Sequence, residues 1–191
     1  MKKTFFSLAL FTILSAAAAT NVSAQTKKMP HTVMVGGAAM YPTKNIVENA
    51  INSKDHTTLV AAVKAAGLVE TLQGAGPFTV FAPTNEAFNK LPAGTVETLV
   101  KPENKATLTK ILTYHVVAGR MTSADLMKAI KAGGGKAALK TVSGGTLTAM
   151  MKGPKTIELK DEKGGVSTVT IADVMQSNGV IHVVNTVLMP Q

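Results

Sequence analysis

The chain has 191 residues, 20 Lys and Arg against 11 Asp and Glu, a formal net charge of +9, and neither cysteine nor tryptophan. Without cysteine there is no disulfide, no thiolate metal ligand and no thiol nucleophile. One arginine and 4% aromatic residues are a poor basis for nucleic-acid binding, and no period of 20 to 50 residues suggests a solenoid.

The chain opens with a basic Met1-Lys-Lys3, an apolar run from Phe5 to Ala19 and a small-residue site at Val22-Ser-Ala24. This pattern predicts a signal peptide over residues 1–24, a mature N-terminus at Gln25, and a secreted or periplasmic location. No later stretch is long and apolar enough to span a membrane, so the mature chain should carry no membrane span. Residues 25–43 show no clear period and read as a loosely docked N-terminal arm. Residues 44–191 suffice for one domain with a core of its own.

Two helices are predicted first, Asn45 to Ile51 and Asp55 to Ala66. The second has Asp55 as its cap and an inward stripe of Leu59, Val60, Val63 and Ala66, and is broken at Gly67. A helical turn follows over Leu68 to Leu72. Phe78-Thr-Val-Phe-Ala82 is short, apolar and rich in aromatic and β-branched residues, which suits a buried strand. Pro83 ends it, Thr84 offers a helix N-cap, and Glu86 places negative charge in the first turn. Phe78, Phe81 and Phe88 concentrate the large rings of an aromatic-poor chain here, which marks the core. Short helices are expected from Thr95, as cap, to Val100, and from Pro102 to about Thr113. Tyr114-His-Val-Val117 comes next.

Thr122-Ser-Ala-Asp125 has the form of a capping box and opens a helix to Lys131, stopped by Gly133-Gly-Gly135. The texture then turns to strands. Ala137 to Val142 and Thr146 to Met151 flank Ser143-Gly-Gly145, while Thr156 to Leu159 and Val166 to Ile171 flank Asp161-Glu-Lys-Gly-Gly165, two hairpin signals. Asn178-Gly179 is a turn dipeptide, and Val180 to Leu188 reads as a buried strand interrupted by His182 and Asn185. Helices first and strands later argue for an α+β domain.

The chemistry-bearing residues are sparse. His31, His56, His115 and His182 show no His-x-x-x-His spacing. His115 and His182 interrupt apolar runs, as neutral histidines bonded to backbone do, and with Asp173 they could form a carboxylate–histidine cluster. Met29, His31, Met34 and Met40 gather soft ligands in the arm without a regular copper spacing. There is no Gly-x-Ser-x-Gly elbow, and the hairpins account for the paired glycines. No catalytic residue, cofactor or metal ligand is assigned, and the protein reads as no enzyme. The charge is uneven: residues 101–163 hold twelve basic side chains against five acidic ones, and the rest of the mature chain balances. Lys128 and Lys131 share a helix face, and Lys136 and Lys140 share a strand face. Such a surface favours anionic partners, not nucleic acid.

Thr79-Val-Phe-Ala-Pro-Thr-Asn-Glu-Ala-Phe88, Tyr114-His115 and Asn178-Gly-Val-Ile-His-Val-Val-Asn185 resemble, in that order, the first box, the central Tyr-His motif and the second box of the fasciclin (FAS1) domain family. The resemblance covers roughly Asn45 to Pro190 and points to the single-domain secreted bacterial type. It implies a wedge of two β-sheets with helices packed around it. It also implies a non-enzymatic binding module, acting in cell-surface or matrix adhesion through a surface protein or an anionic polysaccharide. The alternative is a periplasmic protein that binds a small ligand or a metal. In animal members an Asp-Ile pair tied to integrin binding falls where Asp173-Val174 stands here. The segment around Tyr114-His115 is the family's other adhesion-linked region. Candidate partner-binding residues are therefore Tyr114, His115, Asp173, Val174, Lys128, Lys131, Lys136 and Lys140.

Overall fold

A computed structural model describes residues 32–191. The signal peptide, Met29 and His31 lie outside the described residues.

The first described element corrects the arm. Strands β1 (Val33–Val35) and β2 (Ala38–Met40) form an antiparallel hairpin with Val33 opposite Met40. Gly36 and Gly37 turn it, both at positive φ. Val35 and Met40 enter the core, and Lys54 N–H donates to the Gly36 carbonyl at 3.1 Å. Alternation along two short strands therefore docks the segment firmly.

Helix α1 (Ile46–Ala50) opens with a capping box between Asn45 and Glu48. Helix α2 (Thr57–Ala66) buries Leu59, Ala62, Val63 and Ala66 and ends at left-handed Gly67. Asp55 does not cap it. Lys54–His56 is a 3-10 turn, and the orphan Thr58 N–H goes instead to Asn85 Oδ1 at 3.0 Å, an acceptor far along the chain. Helix α3 (Val69–Gln73) leads to strand β3 (Phe78–Pro83), and Thr84 caps α4 (Asn85–Asn89) through Ala87 N–H. Helix α5 (Thr95–Leu99) has Gly94, at φ 80, in the cap position expected for Thr95. Helix α6 (Lys105–Tyr114) follows, then strand β4 (Val116–Ala118). His115 is the C-cap of α6 and not part of a strand.

Helix α7 (Ser123–Ala132) has the predicted box, with Thr122 and Asp125 bonded reciprocally. Strands β5 (Lys136–Lys140), β6 (Thr146–Met151), β7 (Ile157–Lys160), β8 (Val166–Gln176) and β9 (Gly179–Val184) complete the chain. Strand β9 stops at Val184, short of the predicted Leu188, although Val187 and Leu188 remain buried. Strand β8 runs past the predicted Ile171 because irregularities between Val169 and Val174 let it bend and continue.

Among the described residues, seven strands form one mixed sheet in the order β4-β3-β9-β8-β7-β6-β5. Its two halves share the bent β8, which pairs β7 at one end and β9 at the other. The outer edges also meet: Val142 N–H donates to the Val116 carbonyl at 2.8 Å, so the wedge is almost a closed barrel. This is the expected α+β architecture of helices around paired sheets.

Strands β3 and β9 run parallel at the centre and are buried on both faces. Val80, Ala82, Ile181 and Val183 face a core built with α1, α2, α3 and α6. Phe81 and Val184 face a second core, built with α7 and the inner faces of β5, β6 and β7. Phe81 lies opposite His182 and stacks on it with ring centroids 5.6 Å apart. Phe81 is fully buried. Phe81→Ala should therefore cost about 3–5 kcal/mol in chemical denaturation. A loss below about 1 kcal/mol, the range of surface changes, would remove Phe81 from the core.

Candidate functional site

Tyr114 and His115 stand where α6 meets the barrel. The Tyr114 hydroxyl donates to the Thr146 carbonyl at 2.8 Å and accepts from Glu162 N–H at 3.1 Å. Its ring lies so close to Gly145 that a Cβ there would sit 2.7 Å from Cε2. Burial pushes the phenol up to about 12. His115 Nδ1 donates to the Ile111 carbonyl at 2.9 Å, and Nε2 accepts from Leu188 N–H at 3.0 Å. These partners need the neutral ring, and desolvation lowers its pKa to about 4. Asp161 accepts from Met189 N–H at 2.9 Å nearby. His115 and Asp161 thus latch Leu188 and Met189 onto the barrel, and Tyr114 ties the loop at Glu162 to Thr146.

His182 and Asp173 form a second cluster. His182 Nε2 donates to the Met121 carbonyl at 2.9 Å, and Nδ1 accepts from Asp173 N–H at 3.3 Å. Desolvation lowers the His182 pKa. Asp173 is the single non-glycine residue at positive φ, 59°, among the described residues. This conformation, inside the bend of β8, turns its carboxylate toward α7, where Oδ1 accepts from Ser123 N–H at 2.6 Å and Oδ2 from the Ser123 hydroxyl. The carboxylate thereby sits at the positive end of α7.

His182 and Asp173 meet as the sequence suggested, but through the Asp173 backbone, and His115 bonds to neither. Tyr114, His115 and Val174 are 0%, 3% and 1% exposed. The resemblance marked them for a partner; burial instead gives them the interior of the fold, and Asp173 spends its carboxylate on Ser123. Among the described residues no three His, Asp or Glu side chains converge as metal ligands.

The lysines behave differently. Lys128 and Lys131 are exposed on α7, opposite buried Leu126 and Ile130. Lys136 and Lys140 are exposed on β5, where Ala137 and Leu139 point inward. The register places Ala138 beside Thr148 and Thr148 beside Lys160, so Lys160 shares the outer face of Lys136 and Lys140. Lys160 was not singled out from sequence, although the alternation of Ile157 and Leu159 with Glu158 and Lys160 carries the signal. Lys152 pairs with Glu158 at 2.8 Å, which removes one charge of each sign from this face.

A Fasciclin domain model matches residues 54–190. The chain is 48% identical over 159 residues to Protein sll1483 of Synechocystis sp. (strain ATCC 27184 / PCC 6803 / Kazusa), covering 82% of this chain and 79% of that one. It is 40% identical over 132 residues to Transforming growth factor-beta-induced protein ig-h3 of Sus scrofa, covering 69% of this chain and 17% of that protein. The solved FAS1 domain pair from the insect cell adhesion molecule Fasciclin I superposes with a TM-score of 0.67 at 19% identity, covering 76% of this chain and 51% of that one. The fold is therefore that of a fasciclin domain.

The neutral His115 makes stability depend on pH in a fixed direction. An unfolded histidine binds its proton near 6.5, whereas the folded one does so only near 4. Between those values the unfolded chain holds the extra proton, so stability is full above about 6.5 and falls as the pH drops toward about 4. His115→Gln should flatten this fall by up to one proton, about 1.4 kcal/mol per pH unit. Urea titrations from pH 7 to pH 4 measure it, and equal slopes for variant and wild type would show that His115 does not titrate this way.

Proposed function

This chain belongs to the fasciclin domain family, and we propose that it is an exported, non-enzymatic binding module that adheres to an anionic polysaccharide at the cell surface or in the matrix. The observation that carries this reading is the exposure of Lys128, Lys131, Lys136 and Lys140 within the one region that holds the excess positive charge. Their side chains make no ion pair among the described residues, so their charge faces solvent. Lysines spread over a helix and a strand suit a delocalised polyanion, where arginine would grip a single phosphate bidentately. The likeness to the insect cell adhesion molecule's domain pair supports a binding role through the fold. Export rests on the pattern over residues 1–24, and no helix of the described residues is long and apolar enough to cross a membrane.

Binding of this kind weakens steeply with salt, because screening acts within about 8–10 Å at ordinary ionic strength. Changing Lys128, Lys131, Lys136 and Lys140 together to Glu should abolish retention on a heparin-like or native acidic polysaccharide column. Stability should stay within about 1 kcal/mol of wild type, since the sites are on the surface. Equal retention of both proteins would defeat the electrostatic reading, and salt-resistant capture of a surface protein would replace it with the other partner class. Intact mass of the exported protein should correspond to a chain beginning at Gln25; retention of residues 1–24 in the membrane fraction would defeat export as a soluble module.

A further inference from the structure

The helix-side core leaves a cavity of about 50 Å³ beneath the β1–β2 hairpin. Val35 and Met40 of the hairpin, Val47 of α1, Val63 of α2, Leu112 of α6 and Ile181 of β9 give it apolar walls. Two further lining residues, Ala50 and Val60, are only partly buried. The side chains of Ser53 and His56 interrupt the apolar surface. His56 lines the cavity at 3% exposure, its Nδ1 bonded to Ser53 Oγ at 2.9 Å. Its Nε2 is buried and has no hydrogen-bond partner among the described residues. Burial lowers the pKa of His56, and the Ala82 backbone and the Asp55 charge oppose the lowering.

His56 thus differs from the other two buried histidines. Both ring nitrogens of His115 and of His182 are engaged with backbone groups. A buried polar atom left over in an otherwise satisfied interior calls for a partner. Water is a poor one here, because it needs two to four polar contacts and, of the side chains that line this cavity, only those of Ser53 and His56 are polar.

The ring is also held in place. A Cβ on Gly36 would lie 2.4 Å from Ser53 Oγ and 2.6 Å from Asp55 N, so the hairpin turn presses on the Ser53–His56 pair. From the other side, Asn85 donates to the Lys54 carbonyl at 2.8 Å and accepts from Thr58 N–H at 3.0 Å. A fixed polar atom in an apolar chamber is how small-molecule sites set orientation.

We propose that this cavity binds a small apolar molecule bearing one hydroxyl. The hydroxyl pairs with His56 Nε2, and the hydrocarbon part lies against Val63, Leu112 and Ile181. A hydroxyl can donate or accept, so it serves either neutral tautomer of the ring. The volume suits about three water-sized groups, the scale of a short alcohol. The site lies in the helix-side core and shares no residue with the lysine surface, so it stands or falls apart from the polysaccharide reading.

Methyl and imidazole NMR on the full mature chain tests this, with xenon as the apolar probe and 1-propanol as the hydroxyl probe. Both should shift the Val63, Leu112 and Ile181 methyls saturably, and 1-propanol alone should move the Nε2 resonance of His56. His56→Leu should keep xenon binding and weaken 1-propanol about fivefold, the loss of one neutral hydrogen bond. Should the variant fail to fold, the wild-type Nε2 resonance still decides. Diffuse or non-saturating methyl shifts, an Nε2 resonance that 1-propanol leaves in place, or equal 1-propanol affinity in His56→Leu would each overturn the proposal.

Discussion

The parallel pairing of Phe78–Pro83 with Gly179–Val184 is the constraint on which the rest of the structure depends. It joins segments about a hundred residues apart, a costly closure that only extensive burial repays. Both strands are covered on both faces, so each alternate side chain serves a different core. The approach is tight: a Cβ on Gly179 would lie 2.2 Å from the Phe78 carbonyl oxygen, which explains the glycine at the second position of the second box. Asn178 fastens the same corner. Its carbonyl accepts from Phe78 N–H at 3.0 Å, its Oδ1 from Ile46 N–H at 3.1 Å, and its Nδ2 donates to the Leu72 carbonyl at 2.8 Å. One amide side chain thereby ties α1 and α3 to the central strands.

Elements specified by neighbouring residues were legible in the sequence. The β-branched run of β3, the caps at Thr84 and Thr122, and the glycines of the β5–β6 and β7–β8 turns all act within a few positions. What depended on distant residues was not. Asp55 reads as a cap because it precedes an amphipathic stripe, yet Asn85 does the capping from another helix. Strand β8 is expected only to Ile171, yet the bend that admits Asp173 keeps the strand paired to β9 as far as Gln176. The β1–β2 hairpin had a local signal in Gly36-Gly37 between two three-residue runs, too short for alternation to stand out.

The same division runs through the candidate residues. Tyr114, His115 and Asp173 are conspicuous because polar groups in apolar surroundings are rare, and the structure resolves each as a group with its hydrogen bonds met inside the fold. Conspicuous chemistry in this chain mostly marks closure of the barrel and attachment of its last strand and tail. The lysines carry the opposite signal: charge in no ion pair among the described residues, spaced by a helix or a strand so that it must face solvent. Lys160 joins them only once the register of β5, β6 and β7 is known, because no local pattern relates it to Lys136.

The two-core arrangement also separates what the two faces of the molecule can do. The lysines lie on α7 and β5, elements whose inward side chains belong to the barrel core. The hairpin, α1 and α2 build the other core, with His56 at its polar point. Between them stands the β3–β9 pair, buried on both sides and paired in parallel from Phe78–Gly179 to Pro83–Val184. Changes at sites more than about 7–10 Å apart with no shared partner act additively. A fold divided by a buried central layer meets that condition by construction. Its surface charge can then change without disturbing the helix-side core, and the cavity can change without altering the basic face. That independence suits the proposed binding role, in which the outer surface carries recognition while the interior holds the central strands in register.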